Sequence, residues 1–257
     1  MSEEKAVVQR QYTLSAEAYV TSETHANPKA LQAVIAWLEP RPDWTVVDIA
    51  TGAGHVAKVL ASHVRQVVVT DLTPQMLRTA RRQLAADTAA NASFVLADAE
   101  DLPFLEDTFD AVTCRIAPHH FPHPQAFVHE VARVLQPGGR FLLVDNIVPE
   151  DAALASFYNR LEKMRDESHM RCASAAEWRR WFAAAGLREI RSEESRKHFD
   201  FPNWVRRMAR SEAQIADVER FLLEAPATAR SAFVVKAMGE SVVSFEGLEW
   251  MALCEKI

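Results

Sequence analysis

A strand-like run, Val46-Val47-Asp48-Ile49, carries one carboxylate and then breaks into the turn Ala50-Thr51-Gly52-Ala53-Gly54. Only seven glycines occur in 257 residues, and two stand here. Glycines this scarce mark places where the backbone turns tightly or approaches a ligand, so the turn reads as a nucleotide-binding loop. Gly52, Gly54 and Ala57 satisfy the dinucleotide spacing G-x-G-x-x-G/A, with Asp71 near the position of a ribose-binding acid. On that pattern alone the chain fits an NAD(P)-dependent oxidoreductase. Charge argues for another cofactor. Asp48 stands four positions before Gly52, where a dinucleotide would lay its pyrophosphate dianion. A carboxylate there repels a phosphate but attracts the ammonium and sulfonium of S-adenosylmethionine (SAM). Asp71 then suits the two ribose hydroxyls, and Asp98, after a later strand, suits an adenine amino group.

A second constellation is Arg115-Ile116-Ala117-Pro118-His119-His120-Phe121-Pro122-His123. Methyl transfer from a sulfonium needs alignment and water exclusion, and a base only where the acceptor must lose a proton. His119 or His120 is the candidate base or positioning group; the competing reading is a packed, hydrogen-bonded loop histidine. With His123 they also suggest a metal site, but the loop's prolines and the lack of matching acidic or cysteine ligands argue against one. Further on, Asn159, Glu162 and Asp166 share a helix face, with Arg165 and His169 beside them. That spacing reads first as a solvated face, and second as a polar wall for an acceptor. Trp178, Trp181, Phe182, Trp204 and Met208 read as core, some of them lining an acceptor pocket.

Alternating elements position these groups. Helical spacing of Leu31, Val34, Ile35 and Leu38 ends at Pro40. Strands are expected at Thr45–Ile49, Gln66–Thr70, Phe94–Ala97, Asp110–Ile116 and Phe141–Val144, with helices at His55–Ser62, Pro74–Ala86 and Gln125–Leu135. Pro137-Gly138-Gly139 is read as the stop of the last helix. Such alternation implies right-handed crossovers and a parallel sheet covered on both faces, with ligands at the carboxyl edge of the strands. Asp48, Asp71, Asp98 and Asp145 all fall at that edge. Beyond Pro149, helices are expected at Asp151–Asp166, Ala175–Ala185 and Trp204–Leu223, with extended runs at Leu187–Phe199, Phe233–Val235, Val242–Phe245 and Trp250–Glu255.

The order of motifs resembles a class I SAM-dependent methyltransferase, nearest to the ubiquinone/menaquinone-biosynthesis-like (methyltransferase type 11) family. The matching pieces are Val47-Asp48-x-x-Thr51-Gly52-x-Gly54, Asp71-Leu72-Thr73-Pro74-x-Met76-Leu77, Asp98-Ala99-Glu100-x-Leu102-Pro103-Phe104, Phe109-Asp110-x-Val112 and Glu130-Val131-x-Arg133-Val134-Leu135-x-Pro137-Gly138-Gly139. The family often has a further glycine where His55 or Val56 stands here. The resemblance implies a Rossmann-like α/β fold: a seven-stranded, mostly parallel sheet whose last strand is antiparallel, helices on both faces and a small helical cap. It implies a cofactor site built from the loop residues Asp48, Ala50, Thr51 and Gly52, then Asp71, Leu72, Met76, Asp98, Ala99, Glu100 and Arg115. Tyr12, Tyr19 and His25 are its lid candidates. One domain over 1–257 is expected, with residues 1–40 as lid helices and 202–230 as a helical insertion.

Composition bounds the rest. A net charge of −6 without basic runs argues against nucleic acid as the partner. Cys114, Cys172 and Cys254 lack metal or redox spacing, which suits a reducing compartment. The charged N-terminus is not that of a signal peptide, and no window approaches the roughly 18 apolar residues of a membrane span. The expectation is a cytoplasmic monomer or homodimer that binds SAM, no metal, and a small-molecule methyl acceptor. A SAM-binding protein without catalysis is the further alternative.

Overall fold

The computed structural model describes residues 2–20, 22, 25–85 and 89–257. Helices α1 (Glu3–Val20) and α2 (Pro28–Leu38) lead into β1 (Thr45–Ile49), α3 (His55–Ala61), β2 (Gln66–Asp71) and α4 (Pro74–Ala85). Next come β3 (Ala92–Leu96), β4 (Phe109–Arg115), α5 (Pro124–Val134) and β5 (Leu135–Ile147). The rest of the chain forms α6 (Ala152–Arg165), α7 (Ala175–Ala184), β6 (Leu187–Asp200), α8 (Phe201–Arg206), α9 (Glu212–Leu223), α10 (Ala227–Ala232), β7 (Lys236–Met238) and β8 (Ser241–Lys256). The strand order is β3-β2-β1-β4-β5-β8-β6, with β7 pairing β8. β1 to β5 pair in parallel, and β8 runs antiparallel to both β5 and β6. The expected seven-stranded Rossmann-like sheet is therefore present, with the short β7 added by a hairpin.

Strand alternation sorts the core into two layers, because successive side chains point to opposite faces. Val46, Val67, Val69, Ala111 and Leu142 pack with Leu31, Val34 and Leu38 of α2, Leu60 of α3, and Ala80 and Leu84 of α4. Val47, Ile49, Val112, Cys114 and Leu143 pack on the other face with Phe127 and Val131 of α5, and Trp178 and Phe182 of α7. A third cluster joins Tyr158 and Leu161 of α6, Trp204 and Val205 of α8, and Val218 and Leu222 of α9 to Phe199 and Phe245 on the outer halves of β6 and β8. This cluster is the core of the cap.

Four expectations need correction, and Ala86, the last residue of one expected helix, lies outside the described residues. Pro137-Gly138-Gly139 does not separate helix from strand. β5 already begins at Leu135, which pairs with Phe109, and the next pair is Arg140 with Ala111, so the glycines form a bulge. Gly139 is required there, since a Cβ would meet the Gln136 carbonyl oxygen at 2.8 Å. The helix expected over Trp204–Leu223 is two helices: α8 ends at Arg206, and Ser211 caps α9 by accepting from the Gln214 amide at 3.1 Å. Phe233–Val235 is not extended; Phe233 caps α10 and Val234 has φ 46°. The runs at 242–245 and 250–255 are one strand, continuous through Gly247, where Tyr158 Oη would stand 2.7 Å from a Cβ.

Candidate active site

The first turn is built from left-handed residues: Ala50 (φ 52°), Gly52 (φ 58°) and Gly54 (φ 86°). Ala50 holds this conformation despite its Cβ, a local strain of the kind found at ligand sites. Gly54 has a packing reason as well, because a Cβ would meet Leu84 Cδ1 at 2.8 Å. Asp48 is buried and accepts from the hydroxyls of Thr51 at 2.6 Å and Thr113 at 2.7 Å. Asp71 accepts from the amides of Gly52 at 3.0 Å and Thr73 at 2.8 Å. Burial pushes both carboxyls up to about 6, against those hydrogen bonds. The Gly52 amide is spent on Asp71 and the Gly54 amide on the Thr51 carbonyl at 3.0 Å. The amides of both turn glycines are thus already spent within the protein, which disfavours a dinucleotide pyrophosphate over them. Acidic groups facing an open cleft fit a cationic nucleoside such as SAM.

That cleft encloses about 980 Å³. All the residues expected at the cofactor line it: Tyr19, His25, Asp48, Ala50, Thr51, Gly52, Asp71, Leu72, Met76, Asp98, Ala99, Glu100 and Arg115. Arg115 donates from Nη1 to the His25 carbonyl at 3.0 Å, tying the segment before α2 to the end of β4. Lys5 of α1 lies over the acidic end and reaches Asp98 Oδ2 and Glu100 Oε2, each at 2.6 Å. Burial works against the Lys5 charge, yet these two carboxylates hold its ammonium above the ordinary lysine range.

A second, smaller cavity of about 410 Å³ adjoins the cleft and shares Tyr12, Tyr19, His25, Ile116 and His120 with it. His119 and His120 differ sharply. His119 lines only the smaller cavity. Its Nδ1 lies 2.6 Å from Asp145 Oδ1, and its amide donates to Asp145 Oδ2 at 3.0 Å. Burial opposes its charge, but the Asp145 carboxylate prevails and raises the ring above the ordinary histidine range. His120 is engaged at both nitrogens, by the Ser168 carbonyl at 3.0 Å and the Tyr12 hydroxyl at 2.6 Å. Nδ1–H therefore donates to the carbonyl and Nε2 accepts from the phenol. Burial, then the neighbouring His119, pushes His120 down to about 3.

The similarities to known proteins agree with this geometry. Residues 47–143 match the family model described as a methyltransferase domain. The chain is 37% identical over 196 residues to the uncharacterised methyltransferase YcgJ of Bacillus subtilis, covering 76% of this chain and 78% of that protein. It belongs to the methyltransferase family. A solved methyltransferase structure from Bacillus halodurans superposes with a TM-score of 0.86 at 36% identity, over 88% of this chain and 98% of that one. The UbiE ubiquinone/menaquinone biosynthesis C-methyltransferase of Brucella anthropi is 40% identical over 134 residues, spanning 50% of this chain and 51% of its own. The protein is a SAM-dependent methyltransferase.

Several groups of the methyltransferase site escaped the sequence reading. Lys5, with Tyr12 and Tyr19, repeats every seven residues along one stripe of α1, a signal that was available. Ile116 was read as a strand end and a member of the histidine loop without a role of its own, and it has φ 54° in the wall between the two spaces. Lys197 and Phe199 of β6 and Arg207, the residue after α8, line the smaller cavity, and nothing local in the sequence ties them to it. The solvated reading of the Asn159 face is overturned. Glu162 and Asp166 are buried, as is His169, and the Trp204 ring lies against Arg165 beside them. Asn159 is spent on the local backbone, accepting from Cys172 N at 2.7 Å. His55 donates from Nε2–H to the Tyr19 carbonyl, 3.0 Å away, so it links the turn to α1. Trp178 and Phe182 are core, whereas Trp204 lines the smaller cavity and Met208 packs with Tyr19. Among the described residues, no group of His, Cys, Asp and Glu is arranged to hold a metal ion. No described helix is long and apolar enough to cross a membrane.

Proposed function

We propose that this methyltransferase transfers the methyl group of SAM to a small-molecule acceptor held in the smaller cavity, with His119 receiving the acceptor's proton. The observation that carries this reading is the common wall of Tyr12, Tyr19, His25, Ile116 and His120 between cleft and cavity. The strained Ile116 backbone sits in that wall. Asp71 is the group for the ribose hydroxyls, Asp98 with Glu100 for the adenine end, and Asp48 for the charge of the methionine end. Tyr19 and His25 close the cleft from the lid, and the whole chain works as one unit. When bound, SAM supplies an electrophilic methyl on a sulfonium. Transfer breaks one C–S bond and forms one bond to the acceptor, and a neutral O–H, N–H or activated C–H acceptor sheds its proton.

Asp145 holds His119 in the Nδ1–H form and leaves Nε2 as the acceptor, the same division of labour seen in His–Asp pairs generally. His120 has both nitrogens committed, so it positions Tyr12 rather than taking a proton. The test pairs calorimetry with turnover. SAM and S-adenosylhomocysteine (SAH) bind while NADH does not, and labelled SAM transfers its methyl to components of a metabolite extract. His119→Gln then lowers kcat about 10²–10⁴-fold with SAM affinity unchanged. NADH binding would favour the oxidoreductase, SAM binding without any transfer a non-catalytic protein, and an unaltered kcat would remove His119 as the base.

A further inference from the structure

Arg165 and Asp166 both line the smaller cavity, and each has one buried polar atom that no protein group satisfies: Nε of Arg165 and Oδ2 of Asp166. Each is the remaining valence of a side chain otherwise fixed. Asp166 is 1% exposed, and its Oδ1 accepts from the Ser168 amide at 2.9 Å and hydroxyl at 2.6 Å. Arg165 donates from Nη2 to Glu162 at 2.8 Å and from Nη1 to the Trp204 carbonyl at 3.3 Å. Its guanidinium also lies 4.4 Å from the Trp204 ring centroid, which fixes its plane. Burial works against the Asp166 charge, but His120, then Arg165 and the Ser168 hydrogen bonds, hold its carboxyl below the ordinary range. Asp166 is therefore a carboxylate, able only to accept, and Arg165 is able only to donate. Buried polar groups are otherwise nearly always paired, so an open donor and an open acceptor in one cavity describe the complement of a ligand.

We propose that Asp166 and Arg165 anchor the methyl acceptor, which is a small planar molecule presenting an O–H or N–H to Asp166 Oδ2 and an oxygen to Arg165 Nε. Planarity follows from the rings of Tyr12, Tyr19, Phe199 and Trp204 that line the space. The inference rests on the smaller cavity being the acceptor site. A plain hydrocarbon offers neither group, and a simple phenol or simple acid offers only one. The two anchors are positioning residues set apart from His119, so they fix which atom of the acceptor faces the shared wall.

The test uses the whole protein saturated with SAH and four probes: 3-hydroxybenzoate, benzoate, phenol and toluene. Ligand-observed NMR titration should rank 3-hydroxybenzoate about 10-fold tighter than benzoate or phenol, the effect of one hydrogen bond to a charged partner, with toluene weakest. Asp166→Asn keeps an oxygen for Ser168 but loses the charge, and should reduce 3-hydroxybenzoate to the affinity of benzoate. Equal affinities across the four probes, no binding of any, or a preference that survives Asp166→Asn would overturn the proposal. The ranking in the unsubstituted protein decides alone should that variant not fold. SAH binding is measured first. Its failure would bring down the methyltransferase site itself, whereas SAH binding with a flat ranking would bring down only the anchor.

Discussion

Asp48 and Asp71 are buried beside each other at the ends of adjacent strands, and burial pushes both carboxyls up to about 6. Because the folded value exceeds the ordinary one of 3.8, the folded protein binds more protons than the unfolded chain between roughly pH 4 and 6. Stability contributed by these groups therefore falls as pH rises through that window, by on the order of 3 kcal/mol for each, and the cost is fully present above it. A cationic ligand offsets that cost by favouring the charged forms. SAM affinity should thus rise as pH goes from about 5 to 7 and level off above, with proton release on binding near pH 6. Titration calorimetry in buffers of different ionisation enthalpy reads both, and Asp71→Asn should flatten the profile. A pH-independent affinity would show that these carboxyls do not titrate with the ligand. The acids were legible in the sequence because a strand end followed by a turn fixes a residue's place from local pattern alone. The difference between His119 and His120 was not. It depends on Asp145, 26 residues from His119, and on Tyr12, 108 residues from His120.

Among the elements, α1 was foreseen only as part of a helical lid, and the structure gives the helix specific fastenings. Lys5 bridges Asp98 and Glu100, and Gln9 donates to the Leu72 carbonyl at 2.7 Å. Lys5 is largely buried, with 14% of its side chain exposed against 5% for Glu100. Screening is therefore weaker than for a surface pair. Lys5→Ala should speed amide exchange across residues 3–20 by about 10-fold, equivalent to one charge-assisted hydrogen bond. Deuterium uptake followed by mass spectrometry measures it, and unchanged uptake would mean that α1 is held by its apolar stripe instead. The elements that departed from expectation share a cause: long-range packing overrode local propensity. The Pro137-Gly138-Gly139 bulge exists because β5 begins pairing with β4 two residues before it. The long β8 exists because Gly247 lets Tyr158 and Phe199 pack against the strand.

At the scale of the molecule, the parallel half of the sheet was readable because every βα unit repeats one local grammar, whereas the packing within the expected cap was not. Its core gathers residues from α6, α8, α9, β6 and β8, and pairings that distant leave no periodic trace in any one segment. The same arrangement makes α1 the link between the cofactor cleft and the cap. On one side Gln9 and Lys5 hold the cleft edge. On the other, Gln11 donates to the Met208 carbonyl at 3.4 Å and accepts from Arg210, while the Tyr19 hydroxyl lies 3.8 Å from Met208 Sδ. A ligand under α1 stabilises only those states in which α1 is docked, and docked α1 in turn holds the segment between α8 and α9. SAH at 100 times its Kd stabilises the bound state by about 2.7 kcal/mol. Up to roughly 100-fold slower exchange is then expected in α1, with a smaller slowing over residues 204–214, which do not line the cofactor cleft. Gln11→Ala should remove the second effect and leave the first. Exchange measured with and without SAH decides: protection confined to the sheet edge would show that α1 and the cap open independently, and that closing the larger cleft does nothing to order the smaller cavity.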